Sequence, residues 1–316
     1  MTVARDAPLG GQAVIEGVMM RGVKHWAVAL RKPTAMGTTA SGRGEVVVHR
    51  FQFRNRPRIR ALSKIPLLRG VIALAISLGI GFRALNLAAS TQLGEEAEDF
   101  PSGLWYAIVA VALVFSVGVF FVLPLTLVNL VRHQLGSPVL FWIVEGALRS
   151  ALFLGYMVAI GRMPDLRRTF EYHGAEHKAI SCYEAGDELT PERAALYSRF
   201  HPRCGTSFLL VVMIVSIFVF AAAGMHAWWL LALTRAVGLP VVVGLSFEVI
   251  RWFGRNRERR WVQVMMAPGL ALQRLTTREP SSDQLEVAIT ALNAVLEYEL
   301  PGALSAEDLL GVELVA

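Results

Sequence analysis

Charge is scarce in this chain, and cysteine scarcer. Charged residues make up 18% of the 316 positions and hydrophobic ones 54%, where a soluble domain has about 25% and about 45–50%. With a mean hydropathy of +0.48, the shortage excludes an ordinary soluble globule and predicts an integral membrane protein. Cys182 and Cys204 are the only cysteines, which excludes a disulfide framework. Both fall in a segment read below as cytosolic, where thiols stay reduced, so they are free thiols or metal ligands. The first residues lack the apolar run of a secretory leader, and no cleavable signal is expected. Internal repeats and low-complexity tracts are also missing. Net charge is +6, but no aromatic-interleaved basic domain accompanies it. That argues against a nucleic-acid partner and for contact with anionic lipid head groups.

What is present is apolar length. Segments 104–131, 138–161, 206–226 and 236–253 are each near or above the roughly 18–20 residues needed to cross a bilayer. Residues 64–93 are also apolar but carry Lys64, Arg69 and Arg83, so they read either as a span or as an interfacial or re-entrant helix. Basic residues decide between these. If 64–93 crosses, Arg162, Arg167, Arg168, Lys178, Arg193, Arg199 and Arg203 fall outside the cell. If it does not, they fall inside with the N-terminal segment and Arg255 to Arg260. The second arrangement is expected: four transmembrane helices in two hairpins (104–161 and 206–254), both termini cytosolic.

The cytosolic parts follow from that scheme. Residues 1–63 form a basic, Gly-rich segment with a small β element, its strands at Ala27–Leu30 and Glu45–Val48 joined through Met36 to Gly44. Arg54 to Arg60 is a basic run suited to lipid head groups. Residues 255–316 form a C-terminal helical segment. Its helix starts near Pro280–Asp283, with an apolar stripe of Leu285, Ile289, Leu292 and Leu296 expected to pack on the protein itself. The residues after Pro301 read as a loosely held tail.

The sharpest chemical signal lies in the central loop, 162–205. His173, Glu176 and His177 form H-x-x-E-H, whose i, i+3, i+4 spacing puts all three on one helix face. Inverzincins have this order, with two zinc-binding histidines and a glutamate base. His201 and Cys204 follow as H-x-x-C, and the four N and S donors suit zinc. Two outcomes stay open. If His201 and Cys204 both bind, the site is closed and structural, and Glu176 only orients a ligand. If one binds, the site is open and Glu176 is the catalytic base; its place on the ligand face favours this form. Cys204 tilts the metal toward zinc, although histidine and carboxylate also suit iron or manganese. Lys178 or Arg203 is expected to steady an oxyanion or a lipid phosphate.

Other residues enter as additional ligands or supporting groups. Glu16 lies among apolar and glycine residues, in a ligand position or a solvated turn. Glu248 is an acid inside the last span, its bland partner being Arg251. Cys182 is the second thiol. Glu145 and Arg149, four apart within the second span, are expected to pair.

The stretches Gly10–Gly22 (GGQAVIEGVMMRG), Tyr172–Glu184 (YHGAEHKAISCYE), His201–Phe208 (HPRCGTSF) and Ala267–Pro280 (APGLALQRLTTREP) resemble the YqhQ-like family. These are bacterial membrane proteins of unknown function described as metal-dependent. The resemblance implies a plasma-membrane protein, and among its residues points to Glu16, His173, Glu176, His177, His201 and Cys204. Three functions follow as expectations. The first is a metallohydrolase at the cytosolic membrane face, acting on a peptide or lipid head group. The second is a non-enzymatic scaffold or assembly factor with a structural zinc, meeting a membrane-protein partner or a second copy of itself. The third, less favoured, is a transporter.

Overall fold

The computed structural model describes residues 9–34, 44–53, 57–94, 102–222, 228–256 and 259–299. Residues 36–43 of the expected connection between strands, Arg54–Arg56 of the basic run and the tail after Pro301 lie outside them.

A four-stranded antiparallel meander comes first: β1 (Gly10–Val14), β2 (Gly17–Arg21), β3 (His25–Arg31) and β4 (Val46–Gln52), adjacent in that order. The two expected strands are β3 and β4, the latter running on past Val48 to Gln52. The stretch read around Glu16 as a solvated turn is a hairpin, β1–β2, closed by Ile15 and Glu16. Glu16, the second loop residue, takes the left-handed backbone (φ 52°). Alternation sorts the strands into two buried faces. Val18, Met20, Ala27 and Ala29 face one core; Val14, Met19, Trp26, Val28 and Leu30 face another.

Both faces are covered by helices. The first meets α7 (Pro164–Glu184) and α12 (Ser282–Leu296). α12 begins at a capping box between Ser281 and Gln284 and buries Leu285, Ile289 and Leu292 in that core. Its apolar stripe is therefore spent inside the protein. The second face meets α2 (Leu68–Leu93), after the short α1 (Pro57–Leu62), through Ile80, Ala84 and Ala88.

The remaining helices form an apolar bundle. α3 (Ser102–Val117) runs through a π-helical turn at Gly118–Val122 into α4 (Leu123–Leu130). α5 (Arg132–Leu135) and α6 (Pro138–Ile160) follow, and after α7 and α8 (Pro191–Ala194) come α9 (Gly205–Ala222), α10 (Trp228–Arg255) and α11 (Arg260–Thr276). Among the described residues, five stretches are long and apolar enough to cross a membrane: Leu68–Leu93, Tyr106–Leu130, Pro138–Ile160, Gly205–Ala222 and Leu233–Arg255. α2 thus has the length of a span, yet one part of it lines the sheet and its start is locked to α10. There Gly70 and Gly244 permit close contact with Phe247 and Leu67, and Arg69 pairs with Glu248. Glu248 also accepts from the Leu67 N–H at 3.3 Å. Arg69, brought by a distant helix, hydrogen-bonds this acid, and Arg251, the partner the sequence suggested, also acts on its charge.

Candidate metal centre

α7 starts behind Pro164, which suits a first helical turn. Its inner face carries Tyr172, Ala175, Ala179 and Cys182 into the core under the sheet. Gly174 lies against the Arg278 carbonyl, 2.0 Å from where a Cβ would stand, so only glycine lets the 277–280 segment close over α7. Arg278 N–H donates to the Phe170 carbonyl at 2.8 Å. This closure brings the end of α11 to His173.

Three donors converge. One ligand atom each from His173, His177 and Cys204 lie within 4.8 Å of one another. The Cys204 Sγ is 3.3 Å from His173 Nε2. Both imidazoles are oriented from behind by main-chain carbonyls: His173 Nδ1 meets Thr276 O at 2.8 Å and His177 Nδ1 meets Arg199 O at 2.5 Å. A carbonyl only accepts, so each Nδ1 carries the proton and each neutral ring keeps its lone pair on Nε2. Metal-binding histidines have this support. The donor set therefore fits a thiophilic divalent ion.

His201 is held otherwise. Its backbone is bracketed by Gln273, with His201 N–H to Oε1 at 2.9 Å and Nε2 to His201 O at 2.8 Å. Its ring Nε2 is 3.4 Å from a Glu184 carboxylate oxygen, and its Nδ1 accepts from the Arg203 N–H at 3.4 Å. It neighbours His177, ring centres 5.8 Å apart, but its nitrogens are engaged outside the triplet. Burial holds both His177 and His201 below the usual histidine pKa.

Glu176 is buried, 5% exposed. Burial raises its pKa, opposed by His173, His201 and a hydrogen bond from the Gly11 N–H. Gly11 has no room for a Cβ, which would sit 2.8 Å from the carboxylate. Glu176 Oε2 has no hydrogen-bond partner among the described residues. A buried carboxylate oxygen left open, within electrostatic reach of His173, is the second feature that fits a bound ion and its water.

The other expected residues are elsewhere. Glu16 caps the hairpin and pairs with Arg168, with Tyr172 Oη donating at 3.2 Å. Cys182 is sealed in the core and donates weakly to Glu188 O at 3.4 Å. Glu248 is on α10 with Arg69. Lys178 is occupied by Glu279 and by Ala195 O at 2.8 Å, and Arg203 by Glu184. Both cations that the sequence offered for an oxyanion or a phosphate are thus engaged in ion pairs. Sequence reasoning missed Gln273, the two carbonyls and the Gly11 N–H. The buried glutamine in an otherwise apolar helical stretch was the one available signal; main-chain partners leave none.

Fold and site define a helical protein with membrane-length apolar helices and a compact sheet-bearing body that gathers a His/His/Cys triplet. Residues 65–298 match the family described as "Protein of unknown function (DUF1385)". The chain is 35% identical over 303 residues to "Uncharacterized protein YqhQ" of Bacillus subtilis (strain 168), covering 92% of each chain. This protein belongs to that DUF1385, YqhQ-like family. No solved structure matches it.

Proposed function

We propose that this is a membrane-embedded zinc-dependent hydrolase, acting at the cytosolic membrane face on a peptide or a lipid head group. The observation that carries the reading is the pair of backbone carbonyls behind His173 and His177, which aim two Nε2 lone pairs at the Cys204 thiol. Three protein donors leave a position for water, the arrangement of catalytic rather than structural zinc. When bound, such an ion supplies Lewis acidity. Glu176 then takes a proton from the attacking water at Oε2, its pKa lifted by burial toward the range useful for a base. The Gly11 N–H holds the carboxylate in place. Cys204 immediately precedes α9 and Thr276 ends α11, so the centre lies where an apolar helix enters the bilayer, within reach of head groups. The apolar stripe of α12 is buried in the protein's own core, so a scaffold would have to meet its partner through other surfaces.

Four spans fit this placement. The sheet, α7 and α12 share one core, so the chain must cross an even number of times between each pair of them. α3–α4 with α6 make one hairpin and α9 with α10 the other, leaving α2 as the re-entrant or interfacial helix. The basic residues around α7 put that side in the cytosol.

The test is metal analysis of detergent-purified protein together with Glu176→Gln, assayed on fluorogenic peptides and lipid esters. The expected result is about one zinc per chain in both proteins, with turnover lost only in the variant. No metal after reconstitution, or unchanged turnover in Glu176→Gln, overturns the reading.

A further inference from the structure

The bundle holds a second polar group, remote from the His/Cys triplet in chain and in chemistry. Glu145 on α6 accepts from Arg149, one turn along, and from Arg235 on α10 at 2.8 Å. Arg149 Nη1 donates to Ser216 Oγ on α9 at 2.9 Å. The side chains of Glu145, Arg149 and Arg235 are 1%, 6% and 8% exposed. One carboxylate facing two guanidiniums leaves a formal charge of +1. Arg149 Nε, Arg235 Nε and Arg235 Nη1 have no acceptor among the described residues. Aromatic faces take part of the load: Phe121 and Phe220 lie within 5.5 Å of Arg149, and Trp142 at 5.5 Å from Arg235. They supply no acceptor atom and no net charge.

Arg149 is the midpoint of α6, about 16 Å along the helix from either end. In the four-span arrangement this is acyl-chain depth, where an uncompensated cation is costly and normally marks function. Beside it is a cavity of about 170 Å³, lined on its polar side by Arg149 and Ser216 and elsewhere by Phe120, Phe121, Phe153 and Leu209. The π-helical turn at Gly118–Val122 carries Phe120 and Phe121, and such turns recur at functional sites. Leu209 is 42% exposed, so the cavity borders the outer surface of the bundle. A bare inorganic anion would satisfy the charge and leave the apolar wall unused. A neutral hydrocarbon would do the reverse.

We propose that α6, α9 and α10 form an intramembrane site for an anionic amphiphile, a hydrocarbon chain ending in a carboxylate or a phosphate. Arg149 and Ser216 take the head, and the Phe120–Phe121–Phe153 wall takes the chain. The site stands independently of the metal reading.

The test uses the full chain in a neutral maltoside detergent, with oleate, oleyl phosphate, methyl oleate and chloride as probes. Binding is read by quenching with dibrominated analogues, Trp142→Phe identifying the reporting indole. At least one of the two anions is expected to bind about tenfold or more tighter than the methyl ester. Arg149→Met should erase that preference. It keeps the Glu145–Arg235 pair and a neutral group, so the fold is expected to survive. Val212→Trp, which fills the cavity without touching a charge, should weaken both anions while the melting temperature holds. Preference for oleate or for oleyl phosphate identifies the head, and either supports the site. Equal binding of the ester, displacement by chloride regardless of chain, or an Arg149→Met preference equal to wild type overturns it.

Discussion

Two of the buried polar clusters among the described residues are held in opposite ways. In the sheet-bearing body, His173 and His177 are fixed by main-chain carbonyls, and their free nitrogens face a thiol. In the helix bundle, Glu145, Arg149 and Arg235 are fixed mainly by one another. Backbone partners are rigid and already committed to the fold, so they orient a side chain without consuming its functional end. Side-chain partners consume each other, and only the surplus charge is left to act. On the two proposals above, the first cluster would receive its ligand through prepared lone pairs and the second through an imbalance of charge.

Experiments that break one cluster should spare the other. The largest effect is expected from His177→Ala, which should take zinc from about one per chain to near none. The Glu145–Arg149 region should be untouched, as checked by the amphiphile binding above. Topology sharpens the contrast between body and bundle. Leu196→Cys, at a site 75% exposed in the body, should react with an impermeant maleimide in inverted vesicles and not in intact cells. Labelling from outside would refute the four-span arrangement. Glu145→Leu leaves two buried guanidiniums unpaired, and should destabilise the bundle by about 3–5 kcal/mol in thermal unfolding, with zinc retained. Gly174→Ala forces a Cβ onto the Arg278 carbonyl. A loss of about 1–3 kcal/mol is expected, with weakened metal retention because Thr276 moves with that segment.

The smallest effect is on pH dependence of the metal-free body. Burial holds His177 and His201 below 6.5, so the unfolded chain takes up protons there before the folded one. Their contribution is full above about pH 6.5 and is lost as pH falls from there through their lower folded-state values. His201→Gln should flatten the fall in stability between about pH 7 and pH 5. A slope equal to wild type would mean that His201 is not buried as a neutral ring.

The legible parts were those with local periodicity. H-x-x-E-H predicted a shared helix face, and α7 provides it. The Leu285–Leu292 stripe predicted packing, and α12 is buried. β3 was readable from its apolar run, whereas β1 was obscured by glycine, which carries no hydrophobic signal. Arg235 could not be joined to Glu145 in advance, because ninety residues separate them and no local pattern spans that distance.

By itself the sequence determined the apolar helices, the donor types of the central loop and the capping of α12, since each depends on neighbours within a few residues. Only the tertiary structure decided that Cys204 rather than His201 joins His173 and His177, that Gly11 holds Glu176, and that the bundle carries one more cation than anion at its centre. Those outcomes depend on which distant backbone approaches. That is settled by close packing of whole elements, where a glycine at 11 or 174 matters more than any motif.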